Sequence, residues 1–327
     1  MDYGEKNILV LGAGSSGIGA AWVLAQLHAN VVLNDYKPVE FEPSTRKRLE
    51  DAGVTIITGR QDNNLLDGVD RIIISPGIAL SIPIVQEALH RKIDVVSEVE
   101  LAYDVCKSPI LGVTGTNGKT TTTTLLTQVM ESTGLPVKVG GNIGDSLSEA
   151  AYHMPEGGYL VAELSSYQLE TIKSFCPLGA IVLNVTPDHL ARHKTMENYA
   201  AAKARIFMNQ TAGNFVVLND DDPIVAAMKQ DAHSTILSIS QHHKVDNGAY
   251  FEGNTCYAVS DGKAIPVIDT EHIHIKGSHN IENILAVIAL TYALGVEVEH
   301  IKHTIEEFHG VEHRLERVTT FHDVTFY

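Results

Sequence analysis

The chain has 327 residues, enough for two domains that each bury a core of their own. It is 44% apolar and 20% charged, ordinary for a globular protein, and 24 basic against 40 acidic side chains leave a formal charge of −16. A field of that sign repels nucleic acid and anionic membrane surfaces, so any polyphosphate ligand must be held by local backbone amides and a few lysines.

The opening residues, MDYGEKNILV, carry no basic leader and run straight into a strand, so no signal peptide is expected. From there NILVLGAGSSGIGAAWVLAQLHANVVLNDYK reads strand, glycine turn, helix, strand, and further short apolar runs follow at VTIITG, DRIIISPGI and DVVSE. The alternation predicts a parallel sheet covered by helices over residues 1–97. The pattern restarts at PILGVTGTNGKTT, with later strands expected at GYLVAELSS, GAIVLNVT and GNFVVLN, which predicts a second α/β domain over 98–311. Segments such as TCYAVS and AIPVI, between 235 and 275, suggest a small accessory antiparallel sheet. SHNIENILAVIALTYALG predicts an amphipathic helix ending at Gly295. The last residues, 312–327, look like the first strands of a third unit or, alternatively, an edge strand closing the second sheet; on the first reading the chain is expected to stop short of a further domain. Three cysteines, Cys106, Cys176 and Cys256, form no C-x-x-C pair and suit a reducing cytosol; no apolar run is long enough to cross a bilayer.

Two glycine loops carry the chemistry. Gly12, Gly14 and Gly17 spell G-x-G-x-x-G between strand and helix, with Asp35 ending the next strand. Such a loop admits a pyrophosphate close to the helix N-terminus, and Asp35 can accept from a ribose or a base. Taken alone it fits NAD or FAD, another diphosphate nucleotide, or a purely structural turn. The second loop, LGVTGTNGKTTTTTLL, departs from the spacing G-x-x-x-x-G-K-[ST], because Val113 stands where the first glycine belongs. Its parts are nevertheless those of an ATP loop: Gly115, Thr116, Asn117 and Gly118 for backbone donors, Lys119 for the β/γ oxygens, and Thr120 and Thr121 for Mg²⁺ and phosphate. Glu163, ending GYLVAELSS, is either a metal-holding carboxylate at the carboxyl edge of the sheet or a helix cap. A dehydrogenase has no use for the second loop and a simple kinase none for the first. Joining a carboxyl group to something carried on a nucleotide handle uses both.

The ordered segments GVTGTNGKTTTTTLL, GGNIG, ELSSYQLE, NVTPDHLARH, YAAAKARIF, KGSHNIENILA and GVEHRLE resemble the Mur ligases of bacterial cell-wall synthesis over essentially the whole chain. In that family the ATP loop is written G-T-N-G-K-[ST], which accounts for the irregular spacing. ELSSYQLE points within the family to the branch that adds D-glutamate to UDP-N-acetylmuramoyl-L-alanine. The resemblance implies an N-terminal Rossmann-like domain that binds uridine diphosphate rather than NAD, a central P-loop domain, and an ATP- and Mg²⁺-dependent amide ligase, with two ions possible. It implies a monomeric cytoplasmic enzyme of peptidoglycan synthesis, and so of cell shape and division. A third domain, carrying the D-glutamate pocket, is expected beyond residue 327, so these residues alone are expected to bind substrate without turnover.

The same resemblance assigns residues. Lys119 is matched to the β/γ phosphates, Thr120 to one Mg²⁺, and Glu163 and His189 to metal, although His189 otherwise reads as a loop histidine. Lys203 matches a lysine that becomes a metal-binding anion when carbamylated, and otherwise reads as a solvated helix lysine. Asn280 and Asn283 share a helix face and match adenine contacts, though one could be an N-cap; Arg314 matches a phosphate contact or is a surface ion pair. On the sugar side the implied residues are Ser15, Ser16 and Gly17 for diphosphate and Asp35 and Tyr36 for uracil. Ser75, Gly77, Asn142, Ser165, Gln168 and His189 are those implied for the muramoyl-alanine arm. The competing expectations are a sibling ligase adding L-alanine or acting like a folylpolyglutamate enzyme, an NAD-dependent oxidoreductase, and a non-catalytic nucleotide-binding module.

Overall fold

The computed structural model describes residues 2–311, 319–321 and 324–326. Its first sheet is built from β1 (Asn7–Leu11), β2 (Asn30–Asp35), β3 (Thr55–Thr58), β4 (Arg71–Ile74) and β5 (Asp94–Ser97) in the order β3-β2-β1-β4-β5. All its pairings are parallel. Runs such as ILVL of β1 and the III that follows Arg71 in β4 are apolar at every position because both faces of a parallel sheet are covered. Their side chains alternate accordingly. Ile8, Val10 and Ile73 enter one core with the helix Ser15–Gln26, while Leu9, Leu11, Ile72 and Ile74 enter another with the helix Pro83–His90. The strand order reverses between β1 and β4, and a crevice at such a switch point is where open α/β sheets take ligands.

The second sheet has nine strands: β6 (Ile110–Thr114), β7 (Val137–Gly141), β8 (Tyr159–Glu163), β9 (Gly179–Val182), β10 (Phe215–Asn219), β11 (Thr235–Ser240), β12 (Gly248–Glu252), β13 (Thr255–Ser260) and β14 (Lys263–Asp269). Their order is β14-β13-β12-β11-β10-β9-β6-β8-β7. The antiparallel strands expected near residues 255–269 are present, and they extend this sheet as its far edge instead of standing apart. The join is β12 running parallel to β11, where Gly248, at φ 124°, lets the backbones meet; a Cβ there would fall 2.0 Å from the Ser238 carbonyl oxygen. β7 is a strand the apolar runs did not announce: Val137, Lys138 and Val139 alternate, as suits an edge. The helix Ser278–Ala293 is less amphipathic than expected, since every residue from Asn283 to Thr291 is buried.

The chain divides into two compact units, Met1–Ile110 with Lys138–Cys176 and His189–Asn209, and Leu111–Val137 with Pro177–Asp188 and Gln210–Tyr327. Within the first unit an ionic cluster braces the amino ends of β4 and β5. Arg71 contacts Asp94 at 2.6 Å and Asp104 at 3.5 Å, Lys173 bonds Asp94, and the Tyr3 hydroxyl donates to Asp104 at 2.7 Å. Burial raises the Asp94 carboxyl, but the hydrogen bond from Lys173 and the charges of Arg71 and Lys173 outweigh it, and the group titrates below its ordinary value. A depressed carboxyl contributes stability that is present above its unfolded pKa and lost as pH falls through the folded one. The melting temperature of the wild type should therefore fall more steeply below about pH 4 than that of Asp94→Asn, as followed by thermal scans across acid pH. Parallel curves would show that the cluster contributes nothing to acid stability.

Candidate active site

In the second unit, β6 delivers the chain into the loop from Gly115 to Gly118, and the helix Lys119–Glu131 begins at once. Gly118 is left-handed at φ 83°, and a Cβ there would lie 2.2 Å from Asn283 Oδ1. Asn283 is buried and its Nδ2 donates to Asn280 Oδ1 at 3.2 Å, so of the two expected adenine-side asparagines Asn283 bears directly on the loop and Asn280 is joined to it through Asn283. Neither caps its helix: Gly277 occupies that position, and Asn280 Nδ2 donates back to the Lys276 carbonyl. The loop is pinned from the other side by Asn184, just past β9. Its Oδ1 accepts from the amides of Thr116 at 3.1 Å and Asn117 at 2.8 Å, and its Nδ2 donates to the Asn117 carbonyl at 3.2 Å. Lys119 Nζ lies over the loop and donates to the carbonyls of Gly115 and Thr116 at 3.0 and 2.9 Å. Thr120 is buried on the first turn. These parts make a rigid left-handed loop, an ammonium above it and a helix N-terminus behind it, which together suit a chain of phosphates.

In the first unit the glycine loop leaves β1. A Cβ at Gly12 would come within 2.8 Å of Ser75, and one at Gly17 within 1.8 Å of the Gly12 carbonyl oxygen; the same test at Gly14 finds nothing within 4 Å. The fold itself therefore demands two of the three glycines, and at Gly14 it leaves open surface beside an exposed Ser15 and a half-buried Ser16. Asp35 is partly engaged already: Oδ2 accepts from the Ala13 amide at 3.0 Å and Oδ1 from the Lys37 amide at 2.9 Å. It anchors the glycine loop, and the neighbouring Tyr36 is 70% exposed. Ser75 donates to the Gly12 carbonyl at 3.3 Å, which brings the SPG turn to the same place, with Gly77 in open space.

Glu163, at the end of β8, is 1% exposed. Its Oε1 accepts from Asn142 Nδ2 at 2.8 Å, and its Oε2 is buried with no hydrogen-bond partner among the described residues. It is not a helix cap. That role falls to Ser165, which forms a capping box with Gln168 on the helix Ser166–Leu169. An uncompensated buried carboxylate oxygen is costly unless a cation or donor faces it, so Glu163 fits a metal ligand. Lys203 is also 1% exposed, with Nζ 4.6 Å from the centre of the Tyr199 ring, which rules out the solvated-helix alternative. His189 stands at φ 52° at the head of the helix Leu190–His193, its ring 5.1 Å from that of Tyr167. Among the described residues no three His, Cys, Asp or Glu side chains converge as a metal cage. Arg314 lies outside the described residues, as does most of the expected third-domain start; within it Thr319–Phe321 and Val324–Phe326 pair as a hairpin.

Sequence reasoning missed Asn184, although it sits inside the quoted NVTPDH, and it missed the group formed by Ser166, Glu170, Arg192 and His193. Burial, reinforced by the cations nearby and opposed by Glu170, holds His193 below the ordinary imidazole range. None of the four belongs to a loop pattern, and only their contacts reveal them.

Comparison with known proteins agrees with this geometry. The Mur ligase middle domain matches residues 113–291, and the MurD-like N-terminal domain of Mur ligases matches 6–97. The UDP-N-acetylmuramoylalanine--D-glutamate ligase of Thermoanaerobacter pseudethanolicus is 42% identical over all 327 residues, which span 72% of its length. The ligase of the same name from Pelotomaculum thermopropionicum is 40% identical over 99% of this chain and 71% of its own. Among solved structures, UDP-N-acetylmuramate:L-alanyl-gamma-D-glutamyl-meso-diaminopimelate ligase from Neisseria meningitides superposes with a TM-score of 0.64 at 21% identity, over 94% of this chain and 99% of that one. The UDP-N-acetylmuramate-alanine ligase MurC of Thermotoga maritima gives 0.56 at 22% identity, over 97% of this chain and 72% of its own. At those identities the structures speak for the fold alone. Among the described residues no helix is long and apolar enough to cross a membrane.

Proposed function

The chain belongs to the Mur ligase family, and on that premise we propose that it is the UDP-sugar- and ATP-binding part of the ligase that joins D-glutamate to UDP-N-acetylmuramoyl-L-alanine. The likeness to ligases of that name along the full 327 residues is the observation that carries the reading. The chemistry is consistent with two phosphate-binding loops. A carboxylate resists attack by an amine because its leaving group would be oxide. Transfer of the γ-phosphoryl group of ATP to the alanyl carboxylate gives an acyl phosphate; the D-glutamate amine adds to its carbonyl, and the tetrahedral adduct collapses to amide and phosphate. The barrier lies in bringing anions together, which calls for cations at the transferred group.

On this reading Lys119 holds the β/γ oxygens, while the amides of Gly115 to Thr121, Asn280, Asn283 and Arg314 bind the rest of ATP. Thr120, Glu163, His189 and, as a carbamate, Lys203 hold magnesium, one ion or two, which neutralises charge on the phosphoryl oxygens. Ser15, Ser16, Gly17, Asp35 and Tyr36 take the uridine diphosphate. Ser75, Gly77, Asn142, Ser165, Gln168 and His189 line the muramoyl-alanine arm. The domain division 1–97, 98–311 and a third beginning at 312 belongs to the same proposal, as do a cytoplasmic setting and a monomer. The D-glutamate pocket is assigned to sequence beyond these 327 residues, so they bind both substrates without turning over.

Calorimetry on the 327-residue chain should register UDP-N-acetylmuramoyl-L-alanine and no NAD. In the full-length enzyme, phosphate release should require D-glutamate and should vanish with Lys119→Ala. Turnover of UDP-N-acetylmuramate with L-alanine instead would replace this reading by a sibling ligase.

A further inference from the structure

One chain of polar contacts in the first unit joins three segments far apart in sequence. Arg192 Nη2 donates to Glu170 Oε2 at 2.6 Å and to the Ile78 carbonyl at 3.0 Å, and its Nε donates to Glu170 Oε1 at 3.3 Å. The guanidinium carbon also lies 4.8 Å from the centre of the Tyr167 ring. Glu170 Oε1 is in turn 3.6 Å from His193 Nδ1, and His193 Nε2 is 2.9 Å from the Ser166 hydroxyl. The ion pair is largely withdrawn from water, with side chains 19% and 17% exposed, while Ser166 and His193 are buried. A planar fork that meets a carboxylate edge-on, a carbonyl and an aromatic face at once is a task for arginine; an ammonium cannot satisfy all three.

The positions of these contacts give them meaning. Ile78 follows the SPG turn of Ser75 and Gly77, Ser166 and Tyr167 follow Ser165 in the capped helix, and Arg192 lies one helical turn past His189. These are the segments assigned above to the muramoyl-alanyl arm; the glycine loop assigned to uridine diphosphate meets the SPG turn through Ser75 and Gly12, and among the described residues Arg192 bonds that turn at the Ile78 carbonyl and not the loop itself. We infer that Arg192 and Glu170 are positioning residues for that arm: they fix the spacing between the SPG turn and the ELSSYQ helix and do not contact uridine diphosphate. The inference rests on the sugar-side reading of this half.

Ligand truncation tests it. Calorimetry on the 327-residue chain would compare UDP with UDP-N-acetylmuramoyl-L-alanine for the wild type, Arg192→Lys and Glu170→Gln, with thermal scans of each. Arg192→Lys keeps the charge and Glu170→Gln keeps the shape, so the fold should survive both. Each should lose about tenfold or more in affinity for the muramoyl ligand, because lysine cannot reproduce the bidentate fork and glutamine cannot supply the opposing charge, while affinity for UDP stays within about twofold. The double variant should be little worse than either single one, because the pair acts as a unit. Equal losses for both ligands, or no loss for either, would overturn the inference and leave the functional reading standing. A wild type that prefers UDP alone, or binds neither ligand, would overturn both.

Discussion

Gly118→Ala should sharply weaken ATP binding, and with it ATP-dependent turnover, in the full-length enzyme while leaving UDP-N-acetylmuramoyl-L-alanine binding intact. Two separate costs fall on the same residue. A left-handed backbone penalises an L side chain by about 1–2 kcal/mol. The added methyl also lands 2.2 Å from Asn283 Oδ1, on a side chain that is buried and hydrogen-bonded to Asn280. Overpacking of that kind costs about 1–3 kcal/mol, so the loop loses roughly 2–5 kcal/mol of its fitness for a triphosphate. That corresponds to ~30-fold up to more than a thousandfold in ATP affinity. Binding of a non-hydrolysable ATP analogue gives the first number and sugar-nucleotide binding the control. An analogue affinity within threefold of the wild type would mean that the loop does not bind the nucleotide.

The same loop shows what a sequence discloses and what it withholds. Gly115 to Thr121 could be found by pattern because the chemistry needs consecutive backbone donors, and consecutive residues are what a sequence displays. The parallel sheet of the first unit was legible for a different reason, since strands recurring between helical segments call for parallel crossover connections, although their order was not. Asn184 was hidden, because its work is done on residues 67 and 68 positions away in the chain. Lys203 illustrates a different blind spot. On a helix of low amphipathicity, YAAAKA, nothing in the order of residues separates a solvated lysine from a buried one, and only the fold decides. Asp35 was expected to accept from a ribose or a base; in the structure its hydrogen bonds come from backbone amides of the loop and the next turn, a role that spacing alone could not distinguish.

The second large effect is expected at Glu163, where stability and activity should separate. Glu163→Gln preserves shape and the acceptor that meets Asn142 Nδ2, while it removes a negative charge from a position with almost no solvent. Because the wild-type Oε2 has no donor among the described residues to compensate its desolvation, neutralising the group should leave the melting temperature unchanged or slightly raised. Turnover should behave in the opposite way. If the carboxylate holds a magnesium ion at the transferred phosphoryl group, losing it removes several kcal/mol of charge stabilisation, or about a thousandfold in rate. Asn142→Ala provides the contrast: it strips the donor from Oε1, leaves the charge wholly unsatisfied and should destabilise the fold by about 1–3 kcal/mol. Steady-state phosphate release and thermal scans on the same three proteins decide the point. A Glu163→Gln enzyme that keeps a tenth of its rate, or that melts as early as Asn142→Ala, would make this glutamate a structural residue, and the metal would have to be held elsewhere.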